Sequence, residues 1–313
     1  MSAPTTALIA TMRNEGPFIL EWLAYHQLIG FSDIIVCSND CVDASPDLLN
    51  VLSRRGLISH IPCSPGPDDK PQLFAYAQAE RLVLERRPDW LMVLDTDEFL
   101  NIHVGAGRVT DLLASAPDAT AFLINWRIFG NSGHDCCSAE LVTSRFTRAA
   151  AQESAVNRSF KTLFTRAEAY HCVLLPHGPG YAKEDAAGSL RPVNGAGERL
   201  PEAFARSEGF MQSEPDQVSW SLAQINHYNT RSTDDYWVKH DRGGGLSPER
   251  WDRDWNWTAF NRNEEEDRTI QRHLPKLRAS MDRLLEDPEI AEAHERCRRL
   301  YAAQVHRLRR LAS

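Results

Sequence analysis

The stretch PDWLMVLDTDEFLNI, at 88–102, runs from a nearly unbroken apolar segment into three carboxylates, Asp95, Asp97 and Glu98. Two carboxylates one residue apart on extended backbone point to the same side. From that side Asp95 and Asp97, with Thr96 between them, can share one hard cation, Mg2+ or Mn2+, directly or through water. A cation so held bridges phosphates and offsets the charge on a departing diphosphate. The plain alternative is a strand end whose acidic residues begin a turn. By the same alternation Glu98 points away from the aspartates. His227, in INHYNTR, offers a neutral imidazole as a further cation ligand, or a structural histidine.

Basic residues follow. Arg231, Lys239 and Arg242 fall on a predicted helix and an RGGG turn, where they can close over a diphosphate through paired hydrogen bonds and glycine backbone amides. A solvated helix face with a glycine stop is the alternative. Lys70, ahead of another predicted helix, is a further phosphate candidate.

The elements that would position these groups alternate in type. Residues 7–12, 33–38, 57–62 and 89–94 read as short buried strands. Helical spacing separates them at 17–30, with Pro17 in its first turn and Gly30 at its stop, then at 45–56 and 72–87. Such β-α repeats predict an α/β fold with a parallel sheet covered on both faces. Ligands collect beyond the carboxyl ends of such strands. Polar residues gather there in three groups: Arg13, Asn14 and Glu15; Asn39, Asp40 and Asp43; Asp95, Asp97 and Glu98. Arg13 and Glu15 can also be read as a helix N-terminal charge pair, and Asp43 as a cap. Beyond the fourth strand, 120–129, 161–166, 171–175 and 218–228 read as strands joined by long Gly-rich loops, and from about Thr233 the chain is helical.

Composition narrows the partners. The 313-residue chain has 43 acidic against 35 basic side chains, a net charge of −8, which argues against a general nucleic-acid binder. With 42% hydrophobic and 25% charged residues, it can form a substantial core. The odd count of seven cysteines, with no C-x-x-C pair, reads as reduced thiols. No secretory leader or membrane-spanning run is evident, so a cytoplasmic location is expected, with peripheral contact at the inner face of a membrane left open.

The blocks IATMRNEGPFILEWLAYHQLIGFSDIIVCSNDCVDAS, DWLMVLDTDEFL, NWRIFGNSGH, KTLF, HGP and NHYNTRSTDDYWVKHDRGGG together resemble nucleotide-sugar glycosyltransferases of the GT-A fold. The likeness is to the bacterial branch of family 2, with some likeness to family 92. The resemblance spans 7–245 and implies a GT-A-like, Rossmann-like, mostly parallel sheet flanked by helices, with a helical C-terminal extension. It also implies a catalytic domain at 1–230 with the extension at 231–313. Thr11, Arg13 and Glu15 would line the nucleoside pocket. The SNDCVDAS loop replaces the family's acidic loop, with Asn39 where an aspartate is common and Asp43 at the later acidic position. A nucleoside diphosphate sugar would be the donor, a glycan or lipid-linked hydroxyl the acceptor, and Mn2+ or Mg2+ the cofactor on Asp95, Asp97 and His227.

For the acceptor side, an inverting transfer needs a general base. His134 and Asp135 in GNSGHD are candidates, as is Asp185 beside Glu184, and stereochemistry stays open. Trp126 and Phe129 offer a sugar platform or core packing, and Glu98 a loop anchor or an acceptor contact. The last helix places Ile290, Cys297, Tyr301, Leu308 and Leu311 at helical spacing amid arginines. It reads as docked on its own domain or on another subunit, with an anionic membrane as the alternative. A nucleotidyltransferase that forms sugar nucleotides would share the α/β cleft, but its Gly-rich basic loop is missing from TMRNEGPF. A non-catalytic nucleotide- or glycan-binding module is the remaining alternative.

Overall fold

In β1 (Thr6–Met12) every residue is buried except Thr11, close to its carboxyl end. Leu8, Ala10 and Met12 join one hydrophobic cluster and Ala7 and Ile9 another, so period-2 alternation sends side chains into a core on each face of the sheet. A strand buried on both faces is what a central parallel strand requires. The computed structural model describes residues 3–201, 203–206, 212–243 and 253–312.

The further strands are β2 (Asp33–Asn39), β3 (Ser59–Cys63), β4 (Trp90–Val93), β5 (Glu98–Ile102), β6 (Ala121–Ile128), β7 (Arg148–Ala149), β8 (Phe160–Phe164), β9 (Pro192–Asn194), β10 (Ala223–His227) and β11 (Glu265–Glu266). The main sheet runs β3-β2-β1-β4-β8-β6-β10-β5, with β9 paired to β6. The pairs among β3, β2, β1 and β4 are parallel. β8 then lies antiparallel between β4 and β6, and β5 antiparallel beside β10. The result is an α/β fold with a mostly parallel central sheet flanked by helices.

Helices α1 (Ile19–Ile29) and α2 (Ser45–Arg54) cover one face, and α3 (Pro71–Arg86) covers the other. Gly30, at φ 111°, ends α1 in the left-handed region that glycine adopts without a Cβ penalty, and its N–H donates to the Gln27 carbonyl. After α4 (Val109–Ser115) come the single turns α5 (Val142–Arg145), α6 (Glu184–Ala187) and α7 (Ala203–Arg206). The C-terminal part holds α8 (Thr233–Arg242), α9 (Arg253–Phe260), α10 (Leu274–Leu285) and α11 (Pro288–Ala312).

The apolar side of α11 packs on its own domain, against α2, α8 and the turn at Gly16–Phe18. It buries Ile290, Ala293, Cys297, Tyr301 and Val305. Its arginines meet acidic partners: Arg296 with Asp47, Arg307 with Asp241 and Arg309 with Asp234. Leu308 packs at the edge of this cluster, while Leu311 is exposed. Gly16 is required here, because a Cβ on it would stand 2.6 Å from the Cys297 side chain.

Four sequence expectations change. Asp95, Thr96 and Asp97 form a turn between β4 and β5 and do not continue the strand, so the aspartates do not share a face by alternation. EFLNI is itself a strand, β5, drawn in by its antiparallel pairing with β10. Residues 171–175 form a loop, folded back where Leu175 bridges Gly178, and the strand expected over 218–228 contracts to β10. Arg231 precedes α8, whose N-cap is Ser232. The glycines at 244 and 245 lie outside the described residues.

Candidate functional site

A cavity of about 630 Å³ opens at the carboxyl ends of β1, β2 and β4. It gathers residues from distant parts of the chain: Thr11, Arg13, Glu15, Asn39, Asp95, Thr96, Asp97, Trp126, His227, Lys239 and Arg242 all line it. Met12, Pro71, Gln72, Lys161, Pro176, His177 and Asn229 complete the inner wall, with Tyr236, Trp255, Asn256 and Phe260 from α8 and α9.

The two aspartates have separate partners. Asp95 Oδ2 accepts from Lys161 Nζ at 2.9 Å, and its Oδ1 accepts from Gln72 Nε2 at 3.2 Å. Asp97 Oδ2 accepts from Lys239 Nζ at 2.5 Å, while His227 Nε2 stands 3.6 Å from Oδ1. Burial opposes charge on Asp97, but Lys239 and then His227 outweigh it and hold the carboxyl well below the usual range. Lys161, in β8, has a side chain only 1% exposed, and it also donates to the Pro176 carbonyl and pairs with Glu98 at 3.0 Å. Burial works against its ammonium, and Asp95 and Glu98 more than compensate, keeping it charged.

A second charge group closes the β1 end. Arg242 pairs with Glu15 and donates to the Arg13 carbonyl at 2.6 Å. Arg231, buried behind the wall, reaches Glu15 at 3.4 Å and lies 3.6 Å over the Phe18 ring. The Arg13 Nε is buried with no hydrogen-bond partner among the described residues. On the opposite wall, the Trp126 ring lies 4.5 Å from that of His227 and 5.6 Å from that of His177. His177 Nδ1 is 2.8 Å from the Phe160 carbonyl, so that nitrogen carries the proton and Nε2 keeps its lone pair. Burial, then Lys161, pushes the imidazole down to about 4, leaving it neutral at ordinary pH.

Other residues singled out from sequence stand off the wall. Glu98 is fully buried and anchors the turn, its carboxylate accepting from the Asp95 N–H at 2.9 Å, so it does not face an acceptor. Phe129 is fully buried against Tyr228 and offers no surface to a sugar. Asp43 caps α2 through Ser45 and accepts from the Gly16 N–H. Asp40 is exposed at φ 46°, and Lys70 is exposed beside Pro71. The His134 ring packs edge-on to Phe146, and Asp135 accepts from Thr233 Oγ1 at 2.9 Å, bracing the start of α8. Asp185 is exposed on α6.

Lys161, His177, Gln72 and the α9 side chains reach the cavity without having been picked out from sequence. The signal for Lys161 was a lysine inside a strand with apolar neighbours, FKTLF, where burial demands a carboxylate partner. Lys161 and His177 fall within the KTLF and HGP blocks that carried the family resemblance.

An Mn2+ or Mg2+ ion does not suit the donor set as it stands. Each aspartate already bonds a lysine, and among the described residues no group of three or more His, Cys, Asp or Glu side chains is placed to hold a metal ion.

No family model matches this chain, and no curated protein matches it. Solved structures of TarS from S. aureus align over part of it. The first has a TM-score of 0.32 and 11% identity, covering 52% of this chain and 28% of TarS. TarS 1-349 in complex with UDP gives 0.31 and 13%, covering 52% of this chain and 47% of that one. The complex with UDP-GlcNAc gives 0.29 and 15%, covering 52% and 46%. The aligned part is thus under half of each TarS chain, and the chemistry of the cleft rests on its own residues. Among the described residues, no helix is long and apolar enough to cross a membrane.

Proposed function

We propose that the protein is a glycosyltransferase that moves a sugar from a nucleoside diphosphate sugar to a hydroxyl of a glycan or lipid-linked acceptor. The observation that carries this reading is the composition of one cavity at the strand ends. It joins Arg13, Lys239 and Arg242, suited to a diphosphate, with Trp126, Trp255 and Phe260, suited to flat apolar faces. Its volume of about 630 Å³ suits a ligand of nucleotide-sugar size. Thr11 and Asn39 stand at the β1 and β2 ends of the wall, where a base and ribose would lie.

In the reaction the bond from the sugar's C1 to the diphosphate oxygen breaks, with its electron pair leaving on the diphosphate. The acceptor hydroxyl oxygen bonds C1 and gives up its proton. His177, with Nδ1 anchored and Nε2 available, is the base we assign. It takes this role in place of His134, Asp135 and Asp185, which do not line the cavity.

The test is a thermal-shift panel of uridine, guanosine, cytidine and thymidine diphosphates and their sugars, followed by a diphosphate-release assay. Stabilisation by one nucleotide and release from its sugar are expected. Binding without release would indicate a binding module. Pyrophosphate release from a nucleoside triphosphate and a sugar 1-phosphate would indicate a nucleotidyltransferase, and no binding at all would remove the reading.

A further inference from the structure

We propose that this cleft neutralises its diphosphate with side-chain cations, Lys239 foremost, and binds nucleotide without a resident divalent metal; the inference rests on the reading of the cavity as a nucleotide-sugar site. Three observations carry it.

The first is the geometry of the acidic pair. A turn separates Asp95 from Asp97, and each carboxylate is directed to its own ammonium, at 2.9 Å and 2.5 Å. The second is that Lys161 has no room to withdraw. Its side chain is 1% exposed and tied to Asp95, Glu98 and the Pro176 carbonyl at once. A divalent ion on Asp95 would sit within a few ångströms of a fixed positive charge, a repulsion that water at the 35% exposed carboxylate screens only in part.

The third is the balance of charge on the wall. Glu15, Asp95 and Asp97 face Arg13, Lys161, Lys239 and Arg242, so the carboxylates are outnumbered. Behind them Glu98, Glu21 and Asp235 are buried with Arg231, so the surplus belongs to the lining itself. A lining with surplus positive charge draws an anion and repels a divalent cation. The Lys239 side chain, on α8, is 25% exposed against 1% for Lys161, and besides Asp97 its ammonium donates to the Asn229 carbonyl and Oδ1 at 3.1 and 3.2 Å. It can keep Asp97 and turn a proton now given to Asn229 toward a phosphate oxygen. Arg13, which also lines the cavity, adds a further guanidinium.

The experiment titrates the full chain with each of the four nucleoside diphosphates by calorimetry, once in EDTA and once in Mn2+, and separately titrates Mn2+ alone by electron paramagnetic resonance. Affinities agreeing within about threefold with and without metal are expected, and Lys239→Gln should weaken binding about tenfold in both buffers. Mn2+ alone should keep its free-ion spectrum. An affinity at least tenfold weaker in EDTA, or an Mn2+ signal quenched by the wild type and restored by Asp97→Asn, would overturn the proposal. Should no nucleotide bind, the glycosyltransferase reading fails. The Mn2+ titration still decides the metal in that case, a quenched signal overturning its exclusion and a free-ion signal supporting it.

Discussion

Replacing Lys161 with methionine isolates the buried charge on which the aspartate turn is built. The substitution fills similar volume but leaves Glu98, fully buried, without its ammonium. Removing one partner of a buried ion pair costs about 3–5 kcal/mol, because the remaining charge is neither hydrated nor paired. At roughly 2 °C per kcal/mol for a chain of this size, the melting temperature should fall by about 6–10 °C. Burial already raises the Glu98 carboxyl above its usual range, and Lys161 is the group that opposes this most. Without Lys161 the folded-state value rises further. A carboxyl raised on folding carries a penalty that is full above its folded pKa and relieved as pH drops through it. The gap between wild type and Lys161→Met should therefore narrow toward acid. Urea denaturation followed by tryptophan fluorescence at several pH values measures this. Adding Glu98→Gln should recover part of the loss, with a coupling of about 1 kcal/mol or more between the substitutions. A loss under about 1 kcal/mol for Lys161→Met, or strict additivity in the double variant, would refute the reasoning.

Three further outcomes are expected. Asp97, held below the usual carboxylate range despite burial, contributes stability above its unfolded value near about 3.9 that is lost as pH falls through the folded value. Asp97→Asn should therefore lower the urea midpoint at neutral pH and flatten its decline in acid. His177→Asn keeps an N–H for the Phe160 carbonyl but removes the Nε2 lone pair; turnover should drop about 100-fold while nucleotide affinity, read by calorimetry, holds. Tyr301→Phe deletes a 2.8 Å hydrogen bond to Asp235, inside the capping box that starts α8, and should cost about 1.5 kcal/mol in urea denaturation.

The first half of the fold was legible because its signals are local. The apolar run of β1, the glycine stop at Gly30 and the helical spacing of α1 to α3 depend only on near neighbours, and the cleft at the strand ends follows from them. What escaped depends on distant partners. EFLNI becomes a strand by pairing with β10, over a hundred residues later, and that pairing draws the preceding aspartates into a turn. Lys161 reads as an ordinary strand residue until β8 inserts beside β4 and brings it to Asp95. Residues 171–175 have strand composition, yet Pro176 and Gly178 fold them back before a ladder forms. Glu98 and Phe129 were legible as polar and aromatic side chains near a strand end, but which way they face is set by β10 beside β5 and by the bridge from Phe129 to Ala149.

The berth of Cys297 against Gly16 joins the opening turn of the cleft to the last helix of the chain. On a ribosome adding about 5–20 residues per second, β1 to β4 emerge long before α8 or α11 exists. Until then Glu15 lacks both Arg231 and Arg242, and the shallow seat at Gly16 stands open to water. The cleft is therefore completed late, once α8 and α9 have been made. A nascent polypeptide stalled before α8 would carry a paired sheet core but lack the Lys239 and Arg242 side of the site.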